Sequence, residues 1–307
     1  GKMAHNVKQT VAEGFLASCY IFVLLVIVTS KAKIFKNAFY TMFVATGLSD
    51  VASIFLVCFL RLNRELSLGE GFHNIVLCCI LIVNAVFVSH LIGNILITIN
   101  RYSAIRHLNR YNMIWTTKNV WIFVVLQYVV SFAAFAHIIG ARLTYVHNAD
   151  GTVTFKGFEI RTDIVVRSTI VGASITYIIM IVVLNARSVF EWKRLSKING
   201  SSKHRLNEKR LLIHAMLVSI CTLSFCSVQF AKAIAVFTGM DELNAQLTMQ
   251  LFWINDLMVS IPPFSLLLLS SDLRQELYNF LRHKTTQSVV NVSVSFRSTR
   301  RTVVGRF

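Results

Sequence analysis

The sequence NIVLCCILIVNAVFVSHLIGNILITI occupies residues 74–99 and contains no Lys, Arg, Asp or Glu. A helix that crosses the hydrocarbon core of a bilayer needs about 20 consecutive apolar residues, so this stretch is long enough to span a membrane. Six further stretches meet the same criterion, at residues 13–30, 38–60, 119–138, 164–186, 211–237 and 246–270. The sequence therefore predicts an all-α membrane protein, a bundle of seven transmembrane helices.

The overall composition agrees with this fold class. Hydrophobic residues make up 55% of the chain, charged residues only 15%, and the mean hydropathy is +0.60. These values are too apolar for a water-soluble domain of this length. A transmembrane β-barrel would need alternating strands of about ten residues, and no such pattern is present.

The net charge of +17 is concentrated between the spans. Residues 31–37, 101–118, 187–210 and 271–307 contain 22 Lys and Arg, whereas the amino-terminal segment and the alternate loops contain eight. An excess of Lys and Arg in short loops marks the cytoplasmic side of a membrane protein. We therefore expect a multi-pass plasma-membrane protein with an extracellular amino terminus, and we expect the charge to serve topology and lipid contact instead of nucleic acid binding.

The seventh span is followed by a short amphipathic segment at residues 272–282. Leu273, Leu277, Phe280 and Leu281 share one face of the helix that this segment predicts, as in helices that lie on a membrane surface. We expect one seven-transmembrane domain over residues 1–283, and a disordered cytoplasmic tail rich in Ser, Thr and Arg over residues 284–307.

Ionisable residues inside spans are costly and usually mark function. Asp50 and His90 lie at similar depths in spans two and three, so we expect them to hydrogen-bond in the bundle centre. Phe87, His90, Asn94, Thr98 and Arg101 form one stripe of the third helix, which we expect to face the bundle interior. The alternative for His90 and Asn94 is a purely structural hydrogen bond between helices.

A second polar set lies toward the outer ends of the spans. We expect a mostly apolar ligand cavity between helices three, five, six and seven, because such cavities form between the helices of a bundle. Its candidate polar contacts are Asn84, Tyr177, Gln229, Lys232 and Asp256. Lys232 and Asp256 are close enough in depth to form an ion pair; the alternative is that the Lys232 side chain extends to the membrane surface.

Both prolines of the chain, Pro262 and Pro263, lie in the seventh span. Proline removes a backbone donor, so this pair predicts either a hinge or a static kink. All six cysteines lie in or beside the spans, and no extracellular disulfide framework is indicated. A bridge from Cys58 to Cys78 or Cys79 stays open as an alternative.

The triplet Asn100-Arg101-Tyr102 ends the third span and resembles the (Asp/Glu/Asn)-Arg-Tyr signature of rhodopsin-like receptors. That resemblance implies that Arg101 engages a heterotrimeric G protein and restrains the inactive state. Asn100 replaces the acidic neighbour that would pair with Arg101, so Glu208 at the base of the sixth span is its nearest plausible partner. The alternative for Glu208 is a solvated residue that balances Lys209 and Arg210.

Together with Leu48-Ser49-Asp50 and Pro263-Phe264-Ser265, the triplet is similar to the nematode serpentine chemoreceptors of classes V and gamma, over roughly residues 13 to 283. The resemblance implies a chemosensory G-protein-coupled receptor in the plasma membrane of sensory neurons, including their cilia. Its expected partners are a small-molecule or peptide ligand, a heterotrimeric G protein, membrane lipids, and arrestin at the Ser/Thr-rich tail.

Two other classes of protein compete with a receptor as interpretations of the sequence. A seven-helix ligand-gated channel or transporter is the alternative, but the charge asymmetry opposes an intracellular amino terminus and no span is interrupted by a substrate site. An intramembrane enzyme would need a His cluster, a Gly-x-Ser-x-Gly turn or paired aspartates in adjacent spans, and the sequence has none of these patterns. No cofactor or metal is expected.

Overall fold

Seven long helices form the membrane domain in the computed structural model, which describes residues 2–67, 70–107, 110–147, 153–198 and 203–282. Each of the seven contains a segment that is long and apolar enough to cross a membrane, so the predicted number of spans is confirmed. They are α1 (Lys2–Thr29), α2 (Ala38–Leu66), α3 (His73–Arg106), α4 (Thr117–Ala134), α5 (Ile160–Ile198), α6 (Lys203–Phe237) and α7 (Asp241–Leu269). A further helix, α8, covers residues 271–282.

Several helices are longer than the apolar stretches that predicted them. α3 continues through the Asn100-Arg101-Tyr102 triplet to Arg106, and α5 continues to Ile198. Apolar length reports only the part of a helix that lies in hydrocarbon, so polar turns beyond it escape detection. The starts of α2 and α4 carry side-chain caps, in which Asn37 accepts a hydrogen bond from the Tyr40 amide and Thr116 from the Asn119 amide.

Short elements connect the spans. Among the residues that the structure describes, three 3-10 turns are present, at Lys33–Lys36, Glu70–Phe72 and Ala136–Ile138, and one α-helical turn, Tyr111–Ile114, precedes α4. These connections are brief, so consecutive spans run in alternating directions and neighbouring helices lie side by side.

A β-hairpin between α4 and α5 was not predicted. Strands β1 (Leu143–His147) and β2 (Val153–Phe158) pair antiparallel, with Leu143 opposite Phe158. Both of these residues are buried in the core, and the Tyr145 hydroxyl lies 3.1 Å from Nδ1 of His73 at the start of α3. We call this side of the bundle the hairpin end and the opposite side the Arg101 end.

The packing places α3 in the centre, in contact with α2, α4, α5 and α6. One apolar cluster fills the half of the bundle toward the hairpin end and a second fills the half toward the Arg101 end. Large apolar side chains also remain exposed on the outer faces of α4 and α5, for example Trp121, Val125 and Ile179. Such exposure is expected of a helix surface that lipid covers.

Helix α8 packs its apolar face against the Arg101 end of α1. Leu273 is buried, Leu277 and Phe280 are half-buried, and the Phe280 ring contacts the edge of Phe22 at 6.0 Å between centroids. These three residues confirm the predicted face, whereas the predicted fourth member, Leu281, is 49% exposed. The tail at residues 284–307 lies outside the described residues.

Candidate functional site

A buried polar network joins four helices in the middle of the bundle. His90 Nδ1 on α3 lies 2.6 Å from Asp50 Oδ1 on α2, which confirms the expected hydrogen bond. The Tyr20 hydroxyl of α1 donates to the other carboxylate oxygen at 2.7 Å, and Thr222 of α6 lies 3.2 Å from His90 Nε2. Tyr20, Asp50 and His90 are each only 1% exposed, so the network is shielded from both lipid and water.

Both nitrogens of the His90 ring have polar neighbours. Nδ1 lies against the Asp50 carboxylate, and Nε2 lies 2.8 Å from Asn94 Nδ2 on the next turn of α3. The Thr222 hydroxyl donates to the Val218 carbonyl at 2.9 Å, as serine and threonine commonly do inside helices. The predicted stripe of α3 faces inward, since Phe87, His90, Asn94, Thr98 and Arg101 are all buried.

A small internal cavity adjoins this network. Its volume is about 10 Å³, close to what one water molecule needs. The Thr46 hydroxyl lies in its wall, and this buried atom has no hydrogen-bond partner within the described chain. The lining residues that matter for polarity and movement are Tyr20, Thr46, Asp50, Asn94, His214 and Pro262.

Arg101 is buried at its own end of the bundle and does not face solvent, with 3% of its surface exposed. Its guanidinium donates to Asn100 Oδ1 at 2.6 Å, and its Cζ atom lies 4.4 Å from the centroid of the Phe39 ring on α2. Asn100 in turn donates to the Tyr111 hydroxyl at 3.0 Å. An amide oxygen and an aromatic face are therefore among the groups that hold the arginine inside the bundle.

Tyr102 and Glu208 are the other members of the predicted switch. The Tyr102 hydroxyl accepts a hydrogen bond from Arg106 at 2.6 Å, and Arg106 also reaches Glu191 of α5 at 3.3 Å. Glu208 lies on the first turns of α6, and its side chain is outside the part of the chain that the structure describes. The role proposed for Glu208 therefore stays a prediction.

His214 connects α6 to the proline segment of α7, a link that sequence reasoning missed. Its Nδ1 lies 2.7 Å from Ser265 Oγ, and its ring meets the edge of Phe39 at 6.0 Å. The sequence did contain a signal, because His214 is an ionisable residue inside the sixth predicted span. Phe39 had no such signal, because a phenylalanine inside a predicted span does not indicate that its ring contacts an arginine.

Pro262 and Pro263 lie inside α7, and the helix continues past them to Leu269. Each proline lacks an amide proton, so the carbonyls four residues earlier, on Met258 and Val259, have no intrahelical donor. The Ser265 hydroxyl donates to the Ile261 carbonyl at 2.6 Å and lies beside the same segment. The expected hinge coincides with this weakened stretch of backbone, and its movement stays a prediction.

The expected ion pair between Lys232 and Asp256 is not formed, and that prediction was wrong. Asp256 faces α1, where its Oδ2 accepts a hydrogen bond from Gln9 at 3.2 Å. Lys232 faces α5, where Asp163 and Arg167 are its charged neighbours. Depth along two adjacent helices was estimated correctly from the helical rise, but the rotation of each helix decides which neighbour a side chain meets.

The remaining residues of the expected ligand cavity separate into two environments. Asn84 is half-buried and donates to the Ile80 carbonyl of its own helix at 2.8 Å. Tyr177 is fully buried, with its hydroxyl near Asn94 and Thr222 but without a hydrogen bond of normal geometry to either. Gln229 is buried near Lys232, and its Oε1 has no hydrogen-bond partner within the described chain. Tyr177 therefore adjoins the central network, whereas Gln229 belongs with Lys232.

A second charged cluster near the hairpin end was also missed. Arg61 is 1% exposed, its guanidinium lies 2.6 Å from Glu13 Oε2 on α1, and it also reaches Glu65 at 3.3 Å. The apolar stretch ends at residue 60, so the predicted second span does not include Arg61. The signal that could have found it is the spacing of four between Arg61 and Glu65, which places opposite charges on one helix face.

All six cysteines lie in the described part of the chain and are free thiols. The bridge from Cys58 to Cys78 or Cys79 is therefore absent. Cys58 instead lies beside the Arg61 guanidinium, at 3.9 Å from its Nη2 atom. The side chain thus points toward α1 and the charged cluster, away from the start of α3.

Comparison with known proteins identifies the family. No curated protein matches the chain. The family model described as the serpentine-type seven-transmembrane GPCR chemoreceptor Srv matches residues 11–283, which includes most of the first span, all of the other six spans and α8. The chain therefore belongs to the Srv family of serpentine chemoreceptors, seven-span membrane proteins of the GPCR type.

Proposed function

We propose that this chemoreceptor binds an extracellular chemical cue toward the hairpin end of its bundle and activates a heterotrimeric G protein at the Arg101 end. The observation that carries the proposal is the burial of Arg101 against Asn100 and Phe39 in a chain of the Srv family. A signature arginine that contacts α2 through the Phe39 ring changes its surroundings when the helices around it move.

The distribution of charge supports the assignment of the two ends. The loops at the Arg101 end belong to the set with 22 Lys and Arg, which favours a cytoplasmic location. The hairpin end then faces outward, and β1 and β2 lie over the ends of the spans where a cue would enter. Arg106 and the other Lys and Arg residues of this set give the Arg101 end a positive charge that suits the acidic and polar surface of a signalling partner.

A route between the two ends also supports a receptor. The Asp50–His90–Thr222 network contacts α1, α2, α3 and α6, and His214 links α6 to the proline segment of α7. A ligand that binds one arrangement of these helices more tightly shifts the population toward that arrangement, and so changes the other end of the bundle. The size of the shift is set by the difference between the ligand's affinities for the two arrangements. Polar networks in a closely packed bundle have few alternative arrangements, which makes such a shift discrete.

The test is a signalling measurement in cells that express the full chain. Cells are exposed to a panel of water-soluble and volatile organic compounds, and G-protein dissociation is recorded in parental cells and in cells that lack the Gα subunits. Ligand-evoked dissociation should occur in the first and disappear in the second. A ligand-evoked ion current that persists without Gα subunits would instead assign the chain to a channel.

The Arg101→Ala variant tests the site within the same experiment. It should abolish ligand-evoked dissociation at matched surface expression, because the residue that engages the partner is absent. Arg142→Ala is the matched control, since Arg142 is an exposed arginine at the opposite, hairpin end of the bundle. Normal signalling from the Arg101 variant would show that G-protein coupling does not depend on this arginine.

A further inference from the structure

Lys232 is a largely buried lysine that forms no ion pair or hydrogen bond within the described chain. It lies on α6 toward the hairpin end, only 6% of its surface is exposed, and its ammonium nitrogen is not completely buried. An ammonium group with so little water around it costs more free energy than a paired one. A lysine is retained in such a place when something outside the chain supplies its missing partner, and intramembrane ionisable residues usually mark function.

The charges around Lys232 are mostly of the same sign. Arg167 and Asp163 of α5 and Arg64 of α2 are the charged groups that act on it. Asp163 is already engaged, because its Oδ1 lies 3.4 Å from Arg167 Nε, and both side chains are more than four-fifths buried. Lys232, Arg167 and Arg64 are therefore accompanied by a single carboxylate, that of Asp163, so the site has a net positive charge.

A polar seam continues from these cations toward the centre of the bundle, between α5 and α6. Gln229 Oε1, Ser174 Oγ and Tyr177 Oη are buried and have no hydrogen-bond partner within the described chain. Buried polar atoms without partners are rare in native proteins and call for an explanation. The apolar side chains between them, including Ile170, Phe225 and Cys226, belong to the same core cluster.

We propose that Lys232 and Arg167 bind the carboxylate of an organic anion whose apolar part lies along the α5–α6 seam. The proposal rests on the proposed receptor function and names the chemical class of the cue. A carboxylate accepts charge-assisted hydrogen bonds from both an ammonium and a guanidinium group, which restores the balance of charge at the site. The unpartnered Gln229 and Tyr177 provide further contacts for polar atoms along the ligand.

The test measures ligand binding without signalling. The purified full chain in lipid nanodiscs is heated with a thiol-reactive dye, which reports exposure of the buried Cys79 and Cys226. Hexanoate is added from water, oleate is added in the nanodisc lipid, and hexanamide is the uncharged counterpart of hexanoate. At a hundredfold excess over Kd, a carboxylate that fits should raise the melting temperature by roughly 5 °C, and hexanamide should not.

Two variants identify the residue responsible. Lys232→Gln should weaken carboxylate binding by roughly ten- to hundredfold, the usual loss when a hydrogen bond to a charged group is removed. Lys36→Gln, which changes an exposed lysine at the other end of the bundle, should bind as the unchanged protein does. Without ligand, Lys232→Met should melt at a higher temperature, because an uncompensated buried charge has been removed.

The outcomes separate this proposal from the receptor function. A Lys232-dependent shift of the melting temperature with hexanoate or oleate supports the carboxylate site even where no G-protein response follows. A shift with hexanoate indicates a ligand that enters from water, and a shift with oleate alone indicates one that enters through lipid. Failure of both carboxylates, an equal shift with hexanamide, or an undiminished shift in Lys232→Gln overturns it. If Lys232→Gln leaves ligand-evoked G-protein signalling unchanged, the receptor function is supported and the anion site is contradicted.

Discussion

Nδ1 of His90 lies 2.6 Å from Oδ1 of Asp50, and both side chains are almost completely buried. Tyr20 completes the coordination of the carboxylate from α1, and Asn94 lies against the other side of the imidazole. A buried polar network is stabilising only when its members are satisfied, and it then fixes one arrangement of the helices. This pair is therefore a structural link between α2 and α3 and a candidate element of the receptor switch.

A double-mutant cycle tests the energetic link between these two residues. Asp50→Asn and His90→Ala should each lower the melting temperature, because each leaves buried polar partners unsatisfied. The double variant should lose less than the sum of the two, with a coupling energy of about 1–3 kcal/mol. The measurement is thermal unfolding in nanodiscs together with ligand-evoked signalling at matched surface expression.

The control pairs Asp50→Asn with Ser131→Ala. Ser131 is buried on α4, and its hydroxyl donates to the Gln127 carbonyl of its own helix, outside the network. These two losses should add. An additive result for Asp50 and His90 as well would mean that the short hydrogen bond contributes no coupling between α2 and α3.

Two glycines allow a matched test of helix packing. A Cβ atom at Gly93 of α3 would collide with the Thr46 hydroxyl of α2 and lie 2.9 Å from Gln127 Nε2 of α4. Gly93→Ala should therefore lower the melting temperature, since overpacking costs about 1–3 kcal/mol. Gly172→Ala on α5 places a Cβ where nothing lies within 4 Å, so it should be neutral or stabilising by up to about 1 kcal/mol. A similar effect of both variants would contradict the close approach of α2, α3 and α4.

The number of spans could be predicted from the sequence because the hydrocarbon thickness sets a length that simple counting recovers. The Asp50–His90 contact was predictable for a related reason: both residues occur at similar depth, and the stripe of α3 showed which face is buried. The hairpin was missed because its strands, of five and six residues, are far shorter than the apolar spans on which the prediction was based. The sequence did contain a signal, because Asp150-Gly151 lies between two stretches rich in β-branched and aromatic residues.

The parts of the site that escaped prediction depend on the rotation of the helices about their axes. Lys232 and Asp256 have suitable depths, yet one faces α5 and the other faces α1. Hydrophobic periodicity would define that rotation in a soluble amphipathic helix, but lipid is as apolar as the protein core, and the pattern is weak in a membrane helix. The packing of Arg101 on Phe39 escaped for the same reason.

Accessibility of the two ends tests the predicted topology. An epitope inserted before Val11 should label intact cells, and one placed after Phe307 should label only permeabilised cells, because the loops rich in Lys and Arg stay in the cytoplasm. Antibody labelling with and without detergent gives the measurement, and an intracellular marker protein controls for leaky cells. The opposite pattern would contradict the receptor assignment, since Arg101 would then face the outside.

Glu208 is predicted to restrain the inactive state. It lies on the first turns of α6, near the Arg101 end of the bundle, and is the acid that we expect to pair with Arg101. Glu208→Ala should raise ligand-independent G-protein dissociation, because the inactive arrangement loses a favourable contact that the active one does not need. Glu242→Ala, an exposed acid at the hairpin end, is the control and should leave the basal level unchanged. An unchanged basal level in the Glu208 variant would leave this acid as a surface residue that balances its basic neighbours.

Phe39 is predicted to be a second restraint on Arg101, independent of any acid. Its fully buried ring lies 4.4 Å from the guanidinium carbon and also meets His214, so it joins the signature arginine of α3 to α6. Phe39→Leu keeps an apolar side chain but removes the aromatic face, and a desolvated cation–π contact is worth about 1–2 kcal/mol. Basal signalling should therefore rise by roughly five- to thirtyfold, up to the point where the active state is fully populated.

Phe39→Tyr is the matched control, because it keeps the aromatic face at nearly the same size. Phe39→Trp is less suitable, because its larger ring would overpack the site. Phe39→Tyr should signal as the unchanged receptor does at matched surface expression, and the combination of Phe39→Leu with Arg101→Ala should be silent. Equal basal levels in Phe39→Leu and Phe39→Tyr would show that the ring acts through packing alone and does not restrain the arginine.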